Sequence, residues 1–211
     1  MENKIQLETV FREGFANGMK NLPSLLGAIV LWILTLWIPF VNVGTTIAIC
    51  TLPVLMSKGE VFSPLDIFNK KYYRYMGEFF LTSAFMYLGI IAGAIFLIIP
   101  GIVIFIAWSQ AIYLVLDKGL NAAEAIRLSN KITFGNKWRM FAIKFILGIV
   151  FSICIMIFVM IIGFLAYISP VLGSLIGIIL ILCLAVAFMA INLGCSASIY
   201  GTLSKDIEEQ H

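Results

Sequence analysis

The chain has 211 residues, of which 62% are hydrophobic and only 12% charged, and it carries a formal net charge of +3. Soluble domains run nearer roughly 45 to 50% apolar and about 25% charged, so this composition excludes an ordinary water-soluble globule and points to a protein solvated by lipid. Basic residues this sparse, scattered between apolar runs, leave no nucleic-acid footprint.

Charge placement sets the expected architecture. No ionisable side chain occurs between Lys20 and Lys58, between Glu78 and Asp117, or between Lys144 and Lys205, gaps of 37, 38 and 60 residues. A helix crosses the hydrocarbon core in about 20 residues, so each gap holds two spans. One straight helix per gap would be about 55 Å long or more, against a core of about 30 Å. Each gap also holds a breaker: Pro39 with Asn42 and Gly44, Pro100 with Gly101, and Pro170 with Gly173. The expected fold is an all-α integral membrane protein of six transmembrane helices arranged as three helical hairpins. Pro39, Pro100, Gly101 and Pro170 mark the turns, placed at headgroup depth where freed carbonyls reach water.

In chain order, each hairpin follows a cap signature and a short amphipathic segment. The first unit, about residues 3–58, opens with Asn3 and Gln6, then Leu7, Val10, Phe11, Phe15 and Met19 at helical spacing. The second, about 63–118, opens with Ser63 and Asp66 around Pro64, a favoured first helical residue. Leu65, Phe68 and Tyr72 then form a stripe beside Lys70, Lys71 and Arg74. The third, about 121–204, opens with Asn121 and Glu124; Ala122, Ala125, Ile126 and Ser129 make a small-residue face, with Arg127 and Lys131 elsewhere. Cap, interfacial helix, span, turn and span thus recur three times, a threefold internal repeat within a single polytopic membrane domain, 1–211. The helices of the third hairpin, about 138–168 and 171–203, are long enough to tilt or to extend beyond the bilayer.

All 25 charged residues lie in four segments: 1–20 sums to 0, 58–78 to +1, 117–144 to +4 and 205–211 to −2. The positive-inside rule places them on the cytoplasmic side, with both termini there and only three short uncharged turns opposite. No cleaved signal peptide is expected, because the first apolar run begins after residue 20. The densest basic group is Lys118, Arg127, Lys131, Lys137, Arg139 and Lys144, with Trp138 as an interface anchor. Lys70, Lys71, Arg74, Arg127, Lys131, Lys137 and Arg139 are the candidate contacts to anionic headgroups, worth about 1 kcal/mol each near the leaflet. Lys144 lies a turn or two inside the fifth span and is expected to snorkel back to the surface.

Within the spans, Gln110 and Asn192 are the strongest hydrogen-bonding side chains; with Thr45, Thr46 and Ser109 they either line a path or bind neighbouring helices. Gly89 with Gly93, Gly173 with Gly177, and Ala190 with Gly194 and Ser198 are close-packing pairs, within the chain or between copies. Pro53 is expected to kink the second span. Cys50, Cys154, Cys183 and Cys195 form no CxxC pair and read as packing residues. His211 is the only histidine, which excludes HExxH and, unless His211 folds back, the familiar triads. No ionisable group is expected at the midplane, which disfavours proton-coupled transport. Asp117 and Glu124 read as a helix-end charge and a capping partner, so no catalytic, metal or cofactor-binding residue is assigned.

Residues 98–143, "IIPGIVIFIAWSQAIYLVLDKGLNAAEAIRLSNKITFGNKWRMFAI", carry Pro100-Gly101, then Asp117, Ala125-Ile126 with Ser129, Gly135 and Trp138 in that order. This order resembles the membrane domain found beside some bacterial glycerophosphodiester phosphodiesterases and in related YciC-like inner-membrane proteins. The resemblance implies a six-helix bacterial inner-membrane domain in a phospholipid context and no catalysis, since the phosphodiesterase site of that group belongs to a separate soluble domain. Two readings follow. The first is a non-enzymatic protein that engages membrane lipids, or organises the membrane, through its basic cytoplasmic helices, alone or with a second copy or a membrane-protein partner. The second is a transporter or channel with a path between hairpins or at the centre of an oligomer.

Overall fold

The computed structural model describes residues 4–208, all helix and connecting turns with no strand among them. Asn3 and His211 lie outside the described residues. Eight α-helices follow in order: α1 (Leu7–Thr35), α2 (Val41–Ser57), α3 (Met76–Phe96), α4 (Ile98–Trp108), α5 (Ala111–Lys118), α6 (Ala122–Ile132), α7 (Lys137–Ile168) and α8 (Pro170–Glu208). Two short 3-10 helices, Pro64–Phe68 and Lys70–Tyr75, join α2 to α3. Five stretches are long and apolar enough to cross a membrane: Leu7–Thr35, Lys70–Ile95, Ile98–Lys118, Lys137–Ile168 and Gly173–Lys205. The shorter apolar helix α2 has 17 residues, about 26 Å at 1.5 Å per residue.

The three amphipathic segments take three different forms. α1 continues through Pro23 without a break, so the first is simply the opening of α1 rather than a separate interfacial helix. The face it buries is Val10, Gly14, Gly18, Asn21, Leu25 and Ala28, whereas Phe15 and Met19 of the expected stripe point outward. The second splits at Asn69, whose extended backbone and side chain, accepting from the Lys71 N–H at 3.0 Å, interrupt the helix. Ile67 and Tyr72 go inside; Leu65 and Phe68 stay outside. Only the third is the predicted α-helix, α6: the Asn121 side chain caps the Glu124 N–H at 2.9 Å, and Ala122, Ala125, Ser129 and Ile132 are buried.

The turns also differ from their expected positions. The second hairpin reverses at Leu97, an extended residue, and Pro100 and Gly101 already belong to the first turn of α4. Proline is tolerated there because the first helical N–H groups have no intrahelical acceptor. The third reverses at Ser169, and Pro170 is the first residue of α8. The two share one geometry. A Cβ on Gly101 would lie 3.1 Å from Ala94, and one on Gly173 would lie 2.5 Å from Ala166, in each case a glycine four residues after the hinge against an alanine three before it. The first hairpin departs from this pattern; it reverses over residues 36–40 and closes on Phe40 at φ 67°. Pro53 sits inside α2, which continues through it.

α8 is the central element, packed along α1, α2 and α7. Its crossing with α1 is close: a Cβ on Gly194 would meet the Gly14 carbonyl oxygen at 2.0 Å, and one on Gly18 the Ala190 carbonyl oxygen at 2.6 Å. Gly89 receives the Trp108 ring, and Gly177 faces Ile162. All three small-residue pairs thus pack within the chain. The buried core, from Ile5 and Val10 through Leu114, Ile143 and Leu203, and from Leu25 through Ile47 and Tyr72, lies at the end of the bundle that carries the charges. Beyond Leu147, α7 buries no residue and meets its return helix, as where Phe151 stacks on Phe188 at 3.9 Å. With 32 and 39 residues, or about 48 and 58 Å, α7 and α8 project well past the core.

Candidate functional site

Two assemblies gather the polar residues. The first arises where the apolar run 98–118 breaks. α4 stops at Trp108 and α5 starts at Ala111, so Ser109 and Gln110 stand between two helices and backbone groups near them lose their usual partners. Ser129 of α6 repairs the break with one hydroxyl: its Oγ donates to the Ala107 carbonyl at 2.7 Å and accepts from the Gln110 N–H at 3.2 Å. Thr133 adds a 3.3 Å bond to the same carbonyl. The small face of α6 is therefore spent on the protein, and the helix turns Arg127 and Lys131 outward.

Beside this break lies a cavity of about 250 Å³. Its polar lining is Ser109, Gln110, Tyr113, Lys144, Asn192 and Ser196; Met86, Ile106 and Met140 are among its apolar walls. Lys144 does not snorkel. Met140, Ile143 and Leu147 are the buried stripe of α7, so position 144 shares the inward face. Its Nζ donates to Asn192 Oδ1 and to Ser196 Oγ, both at 2.8 Å, and the Ser196 hydroxyl donates in turn to the Asn192 carbonyl at 2.8 Å. Among the described residues no carboxylate comes within 4 Å of this ammonium. Gln110 is 3% exposed; its Nε2 donates to Ser109 Oγ at 2.9 Å, and its Oε1 is buried without a hydrogen-bond partner.

Three of the five residues read as path or glue, Ser109, Gln110 and Asn192, thus meet in one chamber. Thr45 and Thr46 do not. Thr45 Oγ1 lies 3.0 Å from Thr35 Oγ1, and Thr46 Oγ1 accepts from Trp32 Nε1 at 2.9 Å, which binds α2 to α1.

The second assembly is the charged end of the bundle. Lys70, Lys71, Arg74, Arg127 and Lys131 are exposed there, and Lys137 and Arg139 are half-buried. Lys137 Nζ donates to Asn130 Oδ1 at 2.9 Å. Exposed apolar side chains stand among them: Leu65, Phe68 and Tyr73 beside the 3-10 helices, and Phe134 and Trp138 at the start of α7. Asp117 is the helix-end charge expected, next to last in α5, and its side chain, 3% exposed, is also a buried hub. Its carboxylate pairs with Lys58, accepts from the Tyr200 hydroxyl at 2.6 Å and lies 3.8 Å from Lys118 Nζ, joining the ends of α2, α5 and α8. Glu78 accepts from the Ala122 N–H at 2.7 Å and so anchors α6 to α3. Glu13 accepts from Ser198 at 2.7 Å, across the contact of α1 with α8.

A groove along the first turns of α7 continues from the chamber. Ile99, Ile102, Val103 and Ile106 of α4 face Lys137, Trp138 and Phe141 across about 260 Å³, and Ile106 lines both spaces. α4 therefore lies beside the basic opening of α7, while the turn at Ser169 is 32 residues, about 48 Å, farther along that helix. The second and third turns do not share one level.

No protein-family model, curated protein or solved structure matches the chain. Much of the residue order behind the family resemblance has a structural task here: Asp117 joins three helices, Ser129 bridges the α4–α5 break, and Gly135 takes φ 78° between α6 and α7.

Proposed function

We propose that the chain is a non-enzymatic multi-pass protein of the bacterial inner membrane that engages anionic lipid headgroups through its basic end. The observation that carries this reading is the exposed set Lys70, Lys71, Arg74, Arg127 and Lys131, with Leu65, Phe68, Tyr73 and Trp138 exposed beside it. Cations interleaved with apolar and aromatic side chains suit headgroup depth, where the ring or alkyl group enters the boundary and the charge meets phosphate. In this reading the third hairpin crosses the bilayer, the first reaches across with its turn at headgroup depth, and the second enters obliquely beside α7. Both termini and the polar segments face the cytoplasm. The threefold repeat and the kinship with the phosphodiesterase-associated membrane domain belong to the same proposal; the hinge geometry shared by the second and third hairpins supports the repeat of those two units.

Because α6 buries its small-residue face in the protein, Arg127 and Lys131 act on lipid by charge rather than by insertion. Arg127→Ala with Lys131→Ala together removes about 2 kcal/mol, roughly a 30-fold loss of affinity for anionic lipid. Mass spectrometry of the detergent-purified protein checks this: one anionic lipid class is retained by the wild type and lost from the double variant. Retention without headgroup selectivity sinks the proposal. A transporter or channel is the second reading, favoured by the meeting of Ser109, Gln110 and Asn192 in one cavity.

A further inference from the structure

We propose that the chamber between the α4–α5 break, α7 and α8 is a binding site for an oxyanion that keeps a proton, a phosphate or phosphate monoester group, held by Lys144 and Gln110. The argument begins with charge. An ammonium placed among helices is costly unless an anion or a full set of acceptors compensates it. Lys144 offers three N–H donors, and two are taken by the neutral acceptors Asn192 Oδ1 and Ser196 Oγ. The third is left for a ligand, with no carboxylate of the described chain within 4 Å.

Gln110 supplies the second, independent sign. Its side chain is almost wholly buried, lines the same cavity and leaves Oε1 without a partner, a state that native interiors seldom tolerate. A phosphate or phosphate monoester that keeps one P–O–H donates that proton's hydrogen bond to Oε1, while its ionised oxygens accept from Lys144. The cavity, about 250 Å³, exceeds by far the roughly 30 Å³ share of a single water and takes such a group. The same chemistry arrives either as a free anion or as a lipid headgroup. In the second case the apolar groove that shares Ile106 with the chamber receives the acyl chain.

The site is independent of the exposed basic residues, and its test separates the two. Delipidated full-length protein in a neutral detergent is heated with inorganic phosphate, with dihexanoyl phosphatidate, or with dihexanoyl phosphatidylcholine, and the shift in melting temperature is read against ligand concentration. Stabilisation by both anions identifies a free-oxyanion site, and stabilisation by phosphatidate alone identifies a lipid headgroup. In either case Lys144→Gln binds about tenfold more weakly or worse, Gln110→Leu binds several-fold more weakly, and Gly148→Ala, whose added methyl meets nothing within 4 Å, binds as the wild type. If Lys144→Gln does not fold, the wild type and Gln110→Leu decide. No stabilisation of the wild type by either anion at millimolar concentration overturns the proposal, as does equal stabilisation by phosphatidylcholine or undiminished binding by Gln110→Leu.

Discussion

Gly194→Leu lowers the melting temperature of the purified protein by about 6 to 12 °C, equivalent to about 3 kcal/mol or more in a chain of this size. Even a Cβ at this position would sit 2.0 Å from the Gly14 carbonyl oxygen and 3.0 Å from the Gly18 amide nitrogen. Both are backbone atoms of α1, so no rotamer change relieves the overlap, and the two helices must separate along their whole crossing. In the proposed bilayer setting the loss is not offset, because helix association there rests on close packing itself. The expected loss therefore includes the Ser198–Glu13 bond and the seat of Cys195 against Gly14. Gly148→Ala and Gly163→Ala provide the contrast: nothing lies within 4 Å of either added methyl, and each gains up to about 1 kcal/mol of helix propensity. Fluorescence-detected size exclusion after heating distinguishes the cases. Similar behaviour of Gly194→Leu and Gly148→Ala contradicts the close crossing.

Ser129→Ala is the second large effect, with an expected cost of about 2 to 4 kcal/mol. The hydroxyl serves two backbone groups at once, and its removal leaves the Gln110 N–H buried without an acceptor, at about 1 to 3 kcal/mol, and weakens the hold on the Ala107 carbonyl. Thr133→Ala costs less, because the Ala107 carbonyl keeps its 2.7 Å bond from Ser129. Hydrogen–deuterium exchange gives a local readout: the Gln110 amide exchanges faster in Ser129→Ala and at the wild-type rate in Thr133→Ala. Equal exchange in both variants would mean that the break is repaired by something other than this hydroxyl.

These effects also show which parts of the fold could be read in advance. The three charge-free gaps gave helical hairpins because the free energy of moving charge out of water is large and independent of structural detail. Proline placement was readable only to within a few residues, since Pro100 and Pro170 suit the start of the returning helix as well as the reversal itself. The stripe Leu7, Val10, Phe11, Phe15 and Met19 misled for a different reason. In water the large apolar face goes inside, but against α8 the small residues Gly14 and Gly18 do, leaving Phe15 and Met19 outside.

The chamber was half legible. Gln110, Ser109 and Asn192 stood out as polar side chains in apolar runs, yet their meeting depends on a helix break that no proline or glycine announces at 109–110. Lys144 carried a usable signal, since it falls on the face of α7 defined by Met140, Ile143 and Leu147. The expectation of snorkelling overrode it, because a lysine near a helix end ordinarily reaches the surface. Asp117 had no comparable signal; its partners Lys58 and Tyr200 are 59 and 83 residues away.

The central claim is that the charged segments share one side of the bilayer and that the third hairpin carries the chain to the other. Single cysteines introduced by Glu60→Cys, Asn121→Cys, Ser169→Cys and Lys205→Cys, in a chain freed of its four native cysteines, are labelled with a membrane-impermeant maleimide in oriented inner-membrane vesicles. The account predicts labelling at positions 60, 121 and 205 from the cytoplasmic face alone and at 169 from the opposite face alone. Labelling of 60 and 121 from different faces, or of 169 from the same face as 121, would contradict it.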